Sequence, residues 1–176
     1  QIGLSNIGPK RLMKLINFLA KRDQHLKSVQ IQFSLLAPDL GKQYQVKKIC
    51  DENNIDFFAY SPLSFGILCI DPDKEENKEK SFIRNSLFEN YKKPTYELRR
   101  CLKRIAHQRS VSQAQVAINW CCYQGTIPLV GMRKKSQVID VSNVFNWNLK
   151  KNEFKVLQEA SKKCLKKMPK NPFSSN

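Results

Sequence analysis

Four clusters of side chains along the sequence carry related chemistry. Ser5 and Asn6 end a short apolar run, and Gln30 and Gln32 alternate with Val29, Ile31 and Phe33. Tyr60 and Ser61 follow the run Ile55–Ala59, and Gly131-Met132-Arg133-Lys134-Lys135 follows Thr126–Val130. Ser, Asn and Gln side chains can hydrogen-bond a carboxamide from both sides, and Tyr can stack on a planar ring. Arg133 and Lys134 at a helix start suit a phosphate, on which guanidinium, ammonium and free backbone N–H groups can converge. Together these types describe a site for a phosphorylated dinucleotide. Each piece also has a plain structural alternative: Ser5-Asn6 as a helix entry, Tyr60 as core, Arg133-Lys134-Lys135 as solvated charge.

The elements that must position these clusters alternate in type. Ile2–Leu4 reads as a strand, and Pro9 opens a helix whose Leu12, Leu15, Ile16 and Leu19 share one face to about Arg22. Val29–Leu35 is a second strand, and a helix over about Lys42–Asn53 ends at Asn53-Asn54, where Asn tolerates the left-handed cap conformation. Ile55–Ala59, nearly continuous in apolar character, reads as a strand covered on both faces. The charged stretch 71–80 reads as a mobile insertion loop, and order resumes at Phe82–Phe88. Helices follow at Thr95–Gln108 and, capped by Ser112, at Gln113–Tyr123. Gly125, a strand at Thr126–Val130, a helix at Ser136–Val144 and a lysine-rich helix at Asn152–Lys167 complete the order, with residues 169–176 frayed. Such alternation implies a parallel sheet with right-handed crossovers. An open α/β sheet or half of an eight-stranded barrel fits, since a full barrel needs about 250 residues. In either, ligands gather at the carboxyl ends of the strands, where the four clusters fall.

Composition narrows the function classes. The 176 residues carry a net charge of +16, with 41% apolar and 26% charged residues, which is ordinary globular usage. No apolar run reaches the roughly 18–20 residues of a membrane span. The chain opens on Gln1 inside an apolar run, without a signal peptide, and reads as a piece of something longer. Residues 150–176 alone carry +6, spread over the outside of the last helix. No nucleic-acid-binding module accompanies that charge, so it reads as a solvated face, and neither nucleic acid nor membrane is an expected partner. The six cysteines form no C-x-x-C pair, and His25 and His107 share no ligand spacing with them. Reduced, mostly buried thiols and no metal are the expectation.

Several stretches carry a family resemblance. Ile2–Asn6, Gln30–Leu36, Phe58–Leu63 and Ile127–Arg133 resemble, in order, successive strand-end motifs of the aldo-keto reductases, and Ser112–Trp120 resembles that family's helix before its last barrel strand. The resemblance runs from Gln1 to about Leu157 and is nearest the plant-like and potassium-channel-β-like branch. It implies an α/β fold, the (β/α)8 TIM barrel, of which residues 1–168 correspond to strands five to eight. It further implies NADPH as cofactor, a small aldehyde or ketone as substrate, and an intracellular, cytoplasmic setting, with an organelle left open. By resemblance, Ser5, Asn6 and Gln30 hold the nicotinamide carboxamide, and Tyr60 stacks on the ring. Ser61 and Leu63 line the pyrophosphate, and Arg84 is aligned with a loop arginine that clamps it. Gly131 and Arg133 meet the adenosine 2′-phosphate region, with Gln137 and Asp140 near the adenine.

Departures from the family pattern are specific. The family's catalytic Asp, Tyr, Lys and His belong to the first half of the barrel, so no catalytic residue is expected in this chain, and neither histidine sits in a matching motif. A Gly-Lys after the Tyr-Ser-Pro-Leu loop is here Ile70-Asp71, the Asn expected after Asp140 is Val141, and Val130 replaces a common Pro. The implied partner is the missing N-terminal half-barrel or a partner subunit. The alternative to a reductase is a noncatalytic binding protein of the same family.

Overall fold

Alternating apolar residues form four strands, β1 (Ile2–Ser5), β2 (Leu26–Gln32), β3 (Asp56–Tyr60) and β4 (Ile127–Leu129), each pairing in parallel with the next in the order β1-β2-β3-β4. The structure, a computed structural model, describes residues 1–37, 40–74 and 82–167; the side chains of residues 40 and 82–88 are outside that description. The expected charged loop from residue 75 onward and the expected frayed end 169–176 lie outside the described residues. Parallel strands need long return connections, and the helices supply them: α1 (Pro9–Ala20), α2 (Leu40–Glu52), α3 (Phe82–Arg109), α4 (Gln113–Tyr123), α5 (Lys135–Ser142) and α6 (Lys151–Lys166).

Helix ends follow the sequence signals. Asn54 has φ +54° after α2, and the Ile55 N–H returns to the Cys50 carbonyl at 2.9 Å. Ser112 Oγ accepts the Gln115 N–H at 3.1 Å at the start of α4. After α4, Gly125 sits at φ +68°, where any L side chain is strained.

Two elements differ from expectation. The helix expected to begin at Thr95 runs continuously from Phe82, through Pro94. Pro94 has no N–H to give the preceding turn, and side chains support the backbone around it. Thr95 Oγ1 donates to the Tyr91 carbonyl at 2.6 Å, and Arg99, itself buried, donates to the Lys92 carbonyl at 2.8 Å. Strand β3 is covered on one face only: Phe57 and Ala59 are buried, whereas Phe58 and Tyr60 are half-buried.

The core lies between the sheet and the helices. Val29, Ile31, Phe57 and Ala59 point into it, as do Leu12, Val46, Leu98, Leu102, Val116, Trp120 and Leu157. A ring ladder joins the end of β2 to α4 and α6. Phe33 stacks on Trp120 at 5.4 Å between centroids, Trp120 on Phe154 at 6.2 Å, and Phe154 on Tyr123 at 4.4 Å. Ser161 Oγ donates to the Leu35 carbonyl at 2.6 Å and fixes α6 at the same place. All six cysteines are thiols, but only Cys50, Cys121 and Cys164 are buried; Cys69 is exposed. Burial pushes the Cys50 and Cys164 thiols up to about 11.

Arg109 and Glu153 connect α3 to α6 by two parallel hydrogen bonds of 2.9 Å, and the Lys150 N–H adds a third at 2.7 Å. Burial raises the Glu153 pKa, but these donors outweigh it and leave the carboxyl below its ordinary value. A carboxyl that is more acidic folded than unfolded stabilises at neutral pH, and the contribution fades as pH falls below about 4.3. The urea midpoint of the wild type is therefore expected to drop between about pH 5 and 3 more steeply than that of Glu153→Gln. Trp120→Ala, which empties the middle of the ladder, is expected to cost about 3–5 kcal/mol by urea denaturation at pH 7.

Candidate functional site

Strand register decides which side chains face away from the helices. Leu4, Val29 and Phe57 form one paired row and Ile31, Ala59 and Pro128 another, both on the core side. The alternate rows, Ser5–Gln30–Phe58–Ile127 and Gln32–Tyr60–Leu129, therefore occupy the opposite face toward the carboxyl ends. That face is open toward β4, where Ile127 and Leu129 are 44% and 40% exposed despite being strand residues, whereas Gln32 within it is buried.

Ser5, Asn6, Gln30 and Tyr60 come together here. The Tyr60 hydroxyl donates to Asn6 Oδ1 at 3.0 Å, bridging the ends of β3 and β1 across β2. Asn6 has φ +54°, and its N–H donates to the Gln30 carbonyl at 3.0 Å. Tyr60 is thus a rim residue, half-buried, rather than core. Ser5-Asn6 also leads into α1 through Gly8, the residue before the helix, as the helix-entry reading expects. Among the described residues, no side chain pairs with those of Ser5, Gln30 or Arg133, which leaves these polar groups open to a ligand.

The connection after β3 is built from left-handed residues other than glycine: Ser61 at φ +53°, Ser64 at +48° and Phe65 at +57°. Such backbone persists only where its surroundings over-determine it. Here Ser34 Oγ and Ser64 Oγ, both fully buried, lie 2.8 Å apart, and the Leu36 N–H donates to Ser34 Oγ at 3.1 Å. Residues Ser64–Cys69 continue as a 3-10 turn. Ser61 and Leu63 are half-buried in this loop beside the Tyr60 end of β3. Ser34 and Ser64 shape the loop, yet no sequence signal marks them, because they are ordinary serines 30 residues apart.

After β4, Gly131 and Arg133 are exposed. Gln137, on the first turn of α5, accepts the N–H groups of Arg133 and Lys134 at 2.8 and 3.0 Å. Those two amides are therefore committed to the turn, and the guanidinium and ammonium side chains remain for an anion. Asp140 points toward α4, where its carboxylate accepts from Ser112 Oγ at 2.6 Å and Gln115 Nε2 at 2.7 Å. Arg84 lies near the start of α3, with its side chain outside the described residues. His25 precedes β2 at the far end of the sheet, and His107 is exposed on α3. Among the described residues no group of His, Cys, Asp and Glu could hold a metal ion, and no helix is long and apolar enough to cross a membrane.

A parallel sheet backed by helices, with its polar cluster at the carboxyl ends, has the architecture of a partial (β/α) barrel. A sequence profile described as "Aldo/keto reductase family" matches residues 1–162, and the chain belongs to that family. It is 37% identical over 175 residues to "Pyridoxal reductase, chloroplastic" of Arabidopsis thaliana, covering 99% of this chain and 47% of that protein. It is 24% identical over 159 residues to "NADPH-dependent alpha-keto amide reductase" of Saccharomyces cerevisiae, covering 90% and 43%. A crystal structure of a thermostable aldo-keto reductase with the inhibitor epalrestat matches with a TM-score of 0.65 at 18% identity, over 90% of this chain and 47% of that one, which bears on fold alone. The chain spans about half the length of the curated relatives it matches.

Replacing Tyr60 by Phe removes the bridge to Asn6 and keeps the ring. It is expected to lower stability by about 0.5–1.5 kcal/mol in urea denaturation, one ordinary hydrogen bond, without loss of fold by far-UV circular dichroism.

Proposed function

We propose that the complete protein is an NADPH-dependent reductase of aldehydes or ketones, and that this chain supplies its cofactor-binding half without the family's catalytic Asp, Tyr, Lys and His. The observation that carries the reading is the cluster of Ser5, Gln30 and Tyr60 on one face at the strand ends, together with the exposed cationic turn at Arg133, which matches the polarity of a nicotinamide at one end and a phosphate at the other. Family membership supports a nicotinamide dinucleotide, and a relative named as NADPH-dependent supports the phosphorylated form.

When bound, that cofactor supplies the reducing equivalent. The chain's own residues bind and orient it. Ser5, Asn6 and Gln30 offer donors and acceptors to the carboxamide, with Asn6 held by Tyr60. The Tyr60 ring gives the nicotinamide a flat support. Ser61 and Leu63 line the pyrophosphate beneath the strained turn, and the family resemblance assigns Arg84 to the same group. Arg133 meets the 2′-phosphate on the turn that Gln137 shapes. The proton needed at the carbonyl oxygen comes from outside this chain, from the half-barrel or subunit that completes the site.

The test is fluorescence titration of the complete protein with NADPH and NADH, followed by turnover on a panel of aldehydes headed by pyridoxal, for which one relative is named. NADPH is expected to bind more tightly. A charge-assisted contact is worth about 1.5–3 kcal/mol, so Arg133→Ala is expected to weaken NADPH about 10- to 100-fold and NADH little. Equal weakening of both cofactors would remove Arg133 from the phosphate. Binding without turnover would favour a noncatalytic binding protein.

A further inference from the structure

We propose that Asp140 is a positioning residue, which sets α5 and the cationic turn before it against the start of α4 and does not contact the ligand. The inference rests on the reading above that this turn meets the cofactor phosphate.

Helix α5 fully buries none of its side chains: Val138 and Ile139 are 50% and 55% exposed, and Val141 is only half-buried. Apolar packing therefore does little to fix its rotation. Asp140 supplies what packing lacks, because each of its carboxylate oxygens accepts a short hydrogen bond from α4. The donors are themselves held. Ser112 is the N-cap of α4, and Gln115, only 5% exposed, accepts the Trp147 Nε1–H at 3.1 Å through its other amide atom. The carboxylate thus meets two donors already in place. Downstream, Asn119 fixes the segment beyond α5, donating to the carbonyls of Val144 and Trp147 and accepting the Leu149 N–H. Upstream, Gln137 ties the first turn of α5 to the backbone of Arg133 and Lys134. One continuous line of contacts therefore runs from α4 through Asp140 and Gln137 to Arg133. A carboxylate engaged on both oxygens toward the protein interior is turned from the adenine role that the family resemblance gives it.

The test breaks the contact from the side that no ligand reaches. Gln115→Glu keeps an acceptor for Trp147 but sets a carboxylate against Asp140, and it leaves the Ser112 cap intact. Adding Asp140→Asn to Gln115→Glu restores a donor–acceptor pair in reversed order. In the complete protein without ligand, hydrogen exchange over residues 133–142 is expected to quicken about tenfold or more in Asp140→Ala and in Gln115→Glu, and to return toward wild type in the double variant. The preference for adenosine 2′,5′-bisphosphate over 5′-AMP is expected to fall about tenfold in the same two variants and to recover in the double. Unchanged exchange in Asp140→Ala would overturn the proposal. So would loss of binding in Asp140→Ala with wild-type binding in Gln115→Glu, which would make Asp140 a direct contact. A wild type with no preference for the 2′-phosphate would overturn the phosphate reading, while the exchange data would still decide whether Asp140 holds α5.

Discussion

A parallel strand cannot be joined to its neighbour by a tight turn, so each of β1, β2 and β3 is followed by helix that returns along one face of the sheet before the next strand begins. Two consequences follow. All four carboxyl ends lie at the same end, which gathers residues as distant in sequence as Asn6 and Tyr60. The face opposite the helices is only partly covered among the described residues: Gln32 is buried, but Ile127 and Leu129 stay exposed although they are strand residues. Among the described residues, strands β1 and β4 each have a neighbour on one side only, and the apolar side chains near those two ends of the order, Met13 and Phe18 on α1 and Val138 and Ile139 on α5, are exposed as well. A closed barrel has no such edges. The pattern agrees with a chain that spans about half the length of its relatives.

The rim is held by different forces from the body. Behind the sheet, stacked rings and aliphatic side chains dominate, and area burial is the stabilising term. At the carboxyl ends that material runs out, and short polar contacts replace it: Tyr60 to Asn6, Ser34 to Ser64, Gln137 to the Arg133 turn, Asp140 to α4. Hydrogen bonds suit this task because they are directional, whereas apolar contact tolerates sliding. The four left-handed residues at Asn6, Ser61, Ser64 and Phe65 sit in the same zone. Their conformational cost is offset by these bonds and leaves the strand-end side chains projecting outward.

Much of this arrangement was legible in the sequence, and the reasons it stops being legible are physical. The strand ends Ser5-Asn6 and Tyr60-Ser61 could be read because short apolar runs end there, and the caps at Asn54, Ser112 and Gly125 because their local chemistry is self-contained. Pro94 misled because the rule against proline in helices assumes an unsupported backbone, and the support from Thr95 and Arg99 is a tertiary fact. Phe58 misled because an apolar side chain on the open face looks, in sequence, like one in the core. The direction of Asp140 was hidden for a similar reason: its partners lie 25 and 28 residues earlier, and spacing along one helix says nothing about them. Motif matching places a carboxylate near a ligand; only the fold decides which way it points.

Net charge illustrates the same limit from the other side. The net charge is +16, yet the lysines of α6 lie on the face away from Leu157, Ser161 and Cys164, which that helix buries. Several cations elsewhere are already paired, among them Lys103 with Asp71 and Asp73, and Arg109 with Glu153. Exposed charges of that kind are screened over about 8 Å at physiological salt and have no defined geometry relative to a ligand. Arg133 differs in how its backbone is fixed rather than in its charge. Its N–H is bound by Gln137, and the helix carrying Gln137 is bound through Asp140 to α4. A guanidinium on a fixed backbone loses less freedom when it meets a phosphate than a lysine on an open helix face does, and that difference in preorganisation, more than the sum of charges, separates a binding group from a solvated one.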